Sequence, residues 1–372
     1  MPTITAVRSR MLRIPLDHPT SFSNRTVYHR DHPVVEVECD DGHVGIGFCY
    51  AGNSNGQLVT SAVDQLFAPL LLGQDPFRVE GLWAAMYQES LLHGRAGSTM
   101  RALSALDIAL WDHNAKAAGL PLYRLLGGYY EDTVPAYASG GYYLDGKGHE
   151  GLQQELLGYV EMGFDAVKIK VGRLSVREEA SRMQAAREAV GPDVHIMLDA
   201  NNAWSNLEDA LRYMAAYEPS SPYWIEEPFS PDAIGLHAKL AQRTGVPVAT
   251  GEIEVGRWRF KELMDQDAAM ILQPDAAVLG GVTEFRRIAN TAASYGVSIC
   301  PHWFHDLHRH LVASSPNATY VEFFPDDQVH NFRNIIDRQT EVHDGRLVLP
   351  DTPGLGFEFL PEALERYAVS SQ

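Results

Sequence analysis

Cysteine is scarce in this sequence. The three that are present, Cys39, Cys49 and Cys300, are odd in number and show no CxxC spacing. This pattern argues against a disulfide framework and against a cysteine-ligated zinc site. We therefore expect all three to be small buried apolar residues within strands.

Long apolar runs and an excess of positive charge are also missing. No uncharged apolar run approaches the roughly 18 residues that span a bilayer, and the opening MPTITAVRSRMLRIPLDHP lacks the apolar core of a signal peptide. A formal net charge of −18 argues against nucleic acid and anionic membranes as partners. We expect a cytoplasmic protein, in which an anionic substrate would need local positive charge.

The chain of 372 residues is long enough for two domains. Strand patterns cover 3–14 and 33–50, and the polar stretches 18–31 and 50–57 are predicted to be loops that contact the ligand. A helical pattern follows from residue 58 to 118, with Leu103, Leu106 and Leu110 on one face. This predicts an α+β block that ends near residue 127.

The rest of the chain repeats one pattern. Short apolar runs, each followed by a helix-like stretch, recur at intervals of roughly 20 to 30 residues, which is the length of a βα unit. In every run but the first, a charged or imidazole side chain lies at the C-terminal end. Such runs are typical of a parallel sheet buried on both faces, and in a (β/α)8 barrel the carboxyl ends of the strands meet at one mouth. The runs, beginning at residue 134, are VPAYA, AVKIK, HIMLD, YWIEEP, PVATGE, MILQPD, VSICPH and YVEFF.

Three carboxylates end consecutive predicted strands, namely Asp199, Glu226 and Glu252. Neighbouring strands lie about 4.8 Å apart, so these side chains can reach one ion. A ligand set of oxygen atoms alone suits Mg2+ before Mn2+ or Ca2+. The sequence therefore predicts a divalent-metal site.

Two lysines, Lys168 and Lys170, lie two residues apart in the second predicted strand and should both point into the barrel. Because like charges disfavour each other, we expect the pKa of Lys170 to fall far enough for a general base. Lys168 is expected to stay charged and to bind a substrate carboxylate.

A second acid-base group is predicted at the sixth and seventh strands. Asp275 behind His302 would fix the tautomer of the imidazole and raise its basicity. Glu322, at the eighth strand, is expected to hydrogen-bond a substrate carboxylate.

The stretch HWFHDLHRH also admits a zinc site formed by His302, His305 and His308. The Trp303-Phe304 pair makes a tight set of ligands less favourable. The alternative is that His308 and His310 lie on an exposed helix.

In the order VKIK, LDANNAW, IEEP, TGE, QPDAA with LGGVTE, PHW and VEFF, these motifs resemble the enolase superfamily, in its mandelate racemase-like subgroup. The resemblance implies an α+β capping domain over residues 1–127, a modified barrel, (β/α)7β, over 128–325, and a tail over 326–372 that packs back on the capping domain. It also implies one Mg2+ per subunit, with Mn2+ as a substitute, and a homo-oligomer between dimer and octamer.

The resemblance implies removal of the proton next to a carboxylate through an enediolate, a chemistry in which a Lys or His base with Mg2+ is a known pairing. Polar predicted loops favour dehydration of a sugar acid, an aldonate or aldarate, to a 2-keto-3-deoxy acid. Racemisation, epimerisation and sugar-lactone cycloisomerisation start with the same proton and stay open. A zinc hydrolase and a non-catalytic binding protein are the alternatives from other classes. Expected substrate contacts are Lys168, Asn201, Glu322, Phe22, Tyr50 and Trp303.

Overall fold

The computed structural model describes residues 1–22 and 25–369, and the side chain of Phe22, which was predicted to contact substrate, lies outside the described residues. None of the described helices is both long and apolar enough to cross a bilayer.

The N-terminal part pairs an antiparallel sheet with a group of helices. Its strands are ordered β1-β2-β3, and a π-helical turn, Val63–Phe67, separates its first two helices. The elements are β1 Ile4–Phe22, β2 Arg25–Cys39, β3 Val44–Phe48, α1 Gln57–Ala62, α2 Ala68–Leu71, α3 Val79–His93, α4 Ser98–Ala117 and α5 Leu122–Leu125.

Strand β3 lies directly on α4. A Cβ atom placed on Gly47 would lie 1.9 Å from the carbonyl oxygen of Ala105, so only glycine permits this approach. Leu103, Leu106 and Leu110 are fully buried on α4, as the helical pattern predicted.

The prediction of a loop over residues 18–31 is wrong. β1 and β2 continue as an antiparallel ladder through Thr20 with Val27 to the partners Phe22 and Arg25, after a register shift beyond Pro15. A ladder needs only backbone hydrogen bonds, which polar residues provide as well as apolar ones. The polar composition therefore did not indicate that β1 and β2 extend as paired strands into this stretch.

The second part contains eight parallel strands with helices between them. Each strand overlaps one of the predicted apolar runs. The order around the ring is β10-β9-β8-β7-β6-β5-β4-β11. Between β10 and β11 the described residues form an isolated bridge, Ile299 to Ala318, in place of a ladder. The strands are β4 Thr133–Gly140, β5 Ala166–Lys170, β6 His195–Asp199, β7 Pro222–Glu226, β8 Val248–Thr250, β9 Ile271–Leu272, β10 Ser298–Ile299 and β11 Val321–Phe323.

Helices surround this ring, and a short 3-10 turn, Glu218–Ser220, follows one of them. They are α6 His149–Glu161, α7 Val176–Val190, α8 Leu207–Tyr217, α9 Ile234–Arg243, α10 Gly256–Asp265, α11 Ala276–Leu279, α12 Gly281–Tyr295 and α13 His305–Val312. The expectation that His308 and His310 sit on an exposed helix is wrong, because every residue of α13 is buried.

The barrel interior is filled by one apolar layer below the mouth. It consists of Tyr137, Ala166, Met197, Trp224, Ala249, Ile271 and Cys300. Because side chains alternate along a strand, residues two positions further on point inward one layer closer to the mouth. Lys168, Asp199, Glu226 and His302 hold those positions.

The tail contains a 3-10 turn, Asn331–Ile335, then β12 Val342–His343, β13 Arg346–Val348 and α14 Pro361–Arg366. The predicted hairpin is present, but it pairs antiparallel with the start of β4. The tail contacts the N-terminal part on both sides of this hairpin, as predicted. Asn331 Nδ2 donates to Ile14 O at 3.2 Å, and Val369 N–H donates to Met11 O at 2.9 Å. The domain boundaries at 127 and 325 stay predictions.

Candidate active site

The three predicted metal ligands lie together at the barrel mouth. Asp199 is the ladder partner of Glu226, and the ligand oxygens of Asp199, Glu226 and Glu252 all lie within 4.8 Å of one another. Asp199 and Glu226 are fully buried, whereas Glu252 is partly exposed. The adjacent strands β6 and β7 and the end of β8 therefore create one carboxylate cluster.

The electrostatics of this cluster fit a divalent cation. Burial and the neighbouring Asp199 raise the pKa of Glu226 to about 8, because two buried carboxylates do not ionise side by side without compensation. An all-oxygen donor set with no His or Cys in it matches a hard ion such as Mg2+. The residues present therefore fit a magnesium ion.

Lys168 lies at the centre of the acidic residues. Its Nζ donates to Glu226 Oε1 at 2.7 Å, and it forms an ion pair with Glu322 Oε1 at 2.6 Å. Although burial favours the neutral amine, Glu226 and Glu322 keep the pKa of Lys168 well above its ordinary value. Lys168 is thus charged, as predicted.

The predicted low pKa of Lys170 is wrong for this arrangement. Burial and Lys168 lower the pKa, but the ion-paired carboxylate of Asp199 outweighs them and raises the pKa of Lys170 above its ordinary value. The sequence shows two adjacent amines, whereas the acids that face them come from other strands.

His302 lies after β10 and contacts two acidic side chains. Its Nδ1 lies 3.2 Å from Asp275 Oδ2, and its Nε2 lies 3.5 Å from Glu252 Oε2. Burial lowers the pKa of His302, but Glu252 and the hydrogen bond to Asp275 raise it to about 9. The predicted pair of His302 and Asp275 is therefore formed.

Glu322 is fixed below the mouth. Its Oε2 accepts a hydrogen bond from Trp303 N–H at 2.9 Å while Oε1 pairs with Lys168. Burial would raise its pKa, but Lys168 and His302 lower the pKa of Glu322 to about 2. Trp303 has a φ of 75°, a conformation that is costly for an aromatic residue and is stabilised here by this bond.

A cavity of about 340 Å³ joins these groups to the N-terminal part. Its barrel side holds the expected residues Lys170, Asn201, Glu252, Asp275, His302 and Trp303. Tyr50, also expected, lines the opposite side and stacks on Trp303 with ring centroids 5.4 Å apart. A larger cavity of about 530 Å³ shares the Tyr142 wall but contains none of the predicted site residues.

Several residues that line this cavity were not predicted from the sequence. Arg30 from β2 and Arg101 from α4 lie on its upper side, and Tyr142 and Glu227 lie on the barrel side. Arg30 falls in the stretch predicted to be a loop. No local pattern connects these positions, since only the packing of the two parts brings them together.

The histidines of HWFHDLHRH form no cluster with His302 as zinc ligands. His305 and Asp306 instead gather with His330, with ligand atoms within 4.8 Å. Burial and the guanidinium groups of Arg333 and Arg309 hold the pKa of His305 well below its ordinary value. The positive charges of Arg333 and Arg309 oppose a cation bound beside His305, and this site therefore does not favour a zinc hydrolase.

Two family models cover most of the chain. Residues 4–127 match the mandelate racemase / muconate lactonizing enzyme N-terminal domain, and residues 151–363 match the enolase C-terminal domain-like model. The chain belongs to the mandelate racemase/muconate lactonizing enzyme family. This confirms the resemblance drawn from the motifs.

Individual members of this family resemble the chain over nearly its full length. An arabinonate dehydratase of Saccharolobus solfataricus is 37% identical, with 92% of each chain covered. A D-galactarolactone cycloisomerase of Agrobacterium fabrum is 34% identical, covering 98% of this chain and 99% of the relative. The crystal structure of an L-talarate dehydratase from a Polaromonas species, complexed with Mg and L-glucarate, has a TM-score of 0.89 at 32% identity and covers 100% of this chain and 98% of that one.

Members of the mandelate racemase/muconate lactonizing enzyme family thus share this fold with bound magnesium. The magnesium predicted from the oxygen-only cluster agrees with that finding. Lys170, His302 and Glu252 line one cavity, and Glu252 belongs to the carboxylate cluster that Lys168 contacts. This arrangement is suited to moving a proton beside a carboxylate.

Proposed function

We propose that the protein is a magnesium-dependent dehydratase of a sugar acid, producing a 2-keto-3-deoxy acid. The observation that carries the proposal is the convergence of Lys170 and His302 on one polar cavity beside the cluster of Asp199, Glu226 and Glu252. Relatives named as dehydratases of arabinonate and of talarate and galactarate support the choice of substrate class.

Asp199, Glu226 and Glu252 would hold the metal. A bound magnesium ion supplies positive charge beside the substrate carboxylate and competes with the two lysines for these acids. Lys168 is fully buried between Glu226 and Glu322 and adds a fixed positive charge in the same layer as Asp199 and Glu226. Developing negative charge on the substrate is stabilised by such preorganised groups.

The proton steps fall to Lys170 and His302. One of them removes the proton from C2, and the other gives a proton to the hydroxyl leaving C3 as water. The resulting enol takes up a proton at C3, loses the proton of its C2 hydroxyl and becomes the 2-keto-3-deoxy acid. Asp275 keeps Nδ1 of His302 hydrogen-bonded, so that Nε2 faces the cavity for proton transfer.

Incubation with a panel of aldonates and aldarates plus Mg2+, followed by semicarbazide detection, tests the proposal. At least one acid should yield a 2-keto acid, and no product across the panel would count against dehydration. Lys170→Ala and His302→Asn should each abolish turnover with the fold intact, checked by circular dichroism. Glu208→Gln, an exposed acid on α8, is the matched control with unchanged activity.

A cycloisomerase is the second candidate, favoured by the galactarolactone relative that covers nearly the whole chain. Racemisation or epimerisation uses the same two bases. Reaction in D2O separates these outcomes. Recovered substrate with inverted configuration and label indicates a racemase or epimerase, a lactone that opens or shifts without loss of water indicates a cycloisomerase, and loss of water indicates the dehydratase.

A small carboxylate substrate, a cytoplasmic location and assembly into a dimer or octamer complete the proposal. Light scattering of the purified protein tests the assembly.

A further inference from the structure

A buried arginine on the upper side of the cavity is not neutralised by any neighbour that the structure describes. Arg30, on β2, is 2% exposed and lines the cavity. Nη1 donates to the Tyr50 hydroxyl at 3.0 Å, and the buried Nε has no hydrogen-bond partner among the described residues. The adjacent Asp31 is already engaged by both Arg13 Nε at 2.7 Å and Nη2 at 2.9 Å.

Each acidic residue on the barrel side of the cavity contacts a residue other than Arg30. Asp275 lies against His302, and Glu227 accepts a hydrogen bond from Asn202 at 3.1 Å. Glu252 belongs to the carboxylate cluster. Among the residues that the structure describes, none forms an ion pair with Arg30, and a buried guanidinium without an anionic partner is costly.

A second arginine lies close by. Arg101, on α4, also lines the cavity, and its Nη1 donates to the backbone oxygen of Tyr50. Among the described residues it likewise forms no ion pair. Both arginines come from the N-terminal part, whereas the lysines and the metal ligands come from the barrel. The cavity thus receives positive charge from both parts of the chain.

We infer that Arg30, flanked by Arg101, forms a subsite for a second carboxylate, and that the substrate is a diacid of the aldarate type rather than an aldonate. This rests on the proposed function. The carboxylate next to the reacting carbon would lie by the barrel cluster, and the distal carboxylate would meet the guanidinium of Arg30. A planar guanidinium binds a carboxylate in a bidentate manner, and a terminal hydroxymethyl group cannot replace that charge.

The alternative role for Arg30 is purely structural. Its guanidinium carbon lies 4.6 Å from the Trp303 ring centroid and 5.3 Å from that of Tyr50, so it also stacks between the two parts. Cation-π stacking stabilises a fold for any substrate alike. A subsite, in contrast, changes the ratio between a diacid and its matching monoacid.

The experiment compares each aldarate with the aldonate of the same configuration, differing only in the terminal carboxylate or hydroxymethyl group. For the substrate that is turned over, kcat/KM of the wild-type protein should favour the diacid by about 30-fold or more. Arg30→Met should remove most of this preference, and Arg30→Lys should restore part of it. Arg286→Met, which removes an exposed arginine stacked on Trp111 at 5.2 Å, should leave the ratio unchanged.

Equal use of both acids by the wild-type protein would overturn the inference, and so would an equal loss for both acids in Arg30→Met. The wild-type comparison needs no variant, so a variant that fails to fold does not block the test. Calorimetric binding of the paired acids to Lys170→Ala with Mg2+ separates the two proposals. Tighter binding of the diacid without any 2-keto acid from wild type means that the subsite holds and dehydration fails.

Discussion

Glu226 is one of the three predicted metal ligands, so its carboxylate should contribute directly to the affinity for Mg2+. Glu226→Gln keeps the shape of the side chain but removes the carboxylate that would bind the metal beside Asp199. Loss of an outer-shell partner already weakens metal binding 10–100-fold, so loss of a direct ligand should cost at least about 10-fold in Mg2+ affinity. Calorimetric titration of metal-free protein measures it, with Glu208→Gln as control. An unchanged Kd would remove Glu226 from the ligand set.

His310 gives the protein an acid-sensitive point far from the catalytic groups. Its Nδ1 accepts Tyr123 N–H at 3.2 Å and its Nε2 hydrogen-bonds Leu355 O at 2.9 Å, which fixes the neutral ring. Burial lowers the pKa of His310 to about 3 from the ordinary 6.5. Because this folded-state pKa is depressed, the unfolded chain binds the proton first as pH falls below about 6.5.

Stability should therefore be fully present above pH 6.5 and decline between about 6.5 and 3, by up to about 1.4 kcal/mol per pH unit from this one group. His310→Asn should be less stable at pH 7.5 but should show a shallower decline, measured by urea unfolding at pH 7.5, 6.5 and 5.5. The exposed His343→Asn should match the wild-type slope. Equal slopes for all three proteins would refute the assignment.

At this scale the sequence predicted which residues meet and that Lys168 stays charged, but not the protonation state of Lys170. Asp199, Glu226, His302 and Lys168 were identifiable because strand ends of a parallel barrel share one mouth. The protonation of Lys170 was not, since its pKa depends on the acids of neighbouring strands in addition to the adjacent amine.

Helix α12 is joined to the N-terminal part through its first turn. Asp107 of α4 accepts hydrogen bonds from Thr283 N–H at 2.9 Å and from its hydroxyl at 2.6 Å. It thereby supplies the capping acceptor that Gly280, at the N-cap, lacks. Gly281 has a φ of +82°, and a Cβ atom there would lie 2.3 Å from Asp107 Oδ2.

Gly281→Ala should therefore destabilise the protein by both backbone strain and collision, about 2–4 kcal/mol. Gly296→Ala at the other end of α12 is the matched control, because its φ is +69° with nothing within 4 Å of a Cβ atom. It should cost only about 1 kcal/mol. Urea unfolding measures both, and equal losses would show that the contact with Asp107 contributes nothing.

Elements were predictable where a periodic pattern is strong. The apolar runs identified all eight barrel strands, and the spacing of leucines identified α4. The extended strands over residues 18–22 and 25–31 were not predicted, because polar strands carry little alternation. The pairing of Gly281 with Asp107 was equally hidden, since nothing local connects two positions so far apart in sequence.

On the scale of the molecule, the cavity is less acidic than the chain as a whole. The net charge is −18, yet the cavity contains Lys170, Arg30 and Arg101, with Lys168 just below it. The composition predicted that an anionic substrate would need such local compensation. It did not show that part of the positive charge comes from the N-terminal part, because that requires the packing of both parts.

The tail packs against both parts of the chain. Leu12 forms a bridge with Ala368, Arg13 N–H donates to Tyr367 O at 2.9 Å, and Leu364 is buried. One contiguous core cluster includes residues of the N-terminal sheet, the barrel helices and this tail. Such a shared core favours a single unfolding transition.

Removal of residues 361–372 should therefore destabilise the whole protein rather than free an exposed end. The buried apolar side chains of α14 and the backbone bonds to β1 are together worth several kcal/mol, about 2 kcal/mol for each fully buried leucine-sized side chain. Scanning calorimetry should show one transition for the full chain and one at lower temperature for the truncated chain. Glu365→Gln, at an exposed position of α14, is the matched control and should unfold at the temperature of the full chain. Two separate transitions, with only one of them moved by the deletion, would show instead that the N-terminal part and the barrel unfold independently.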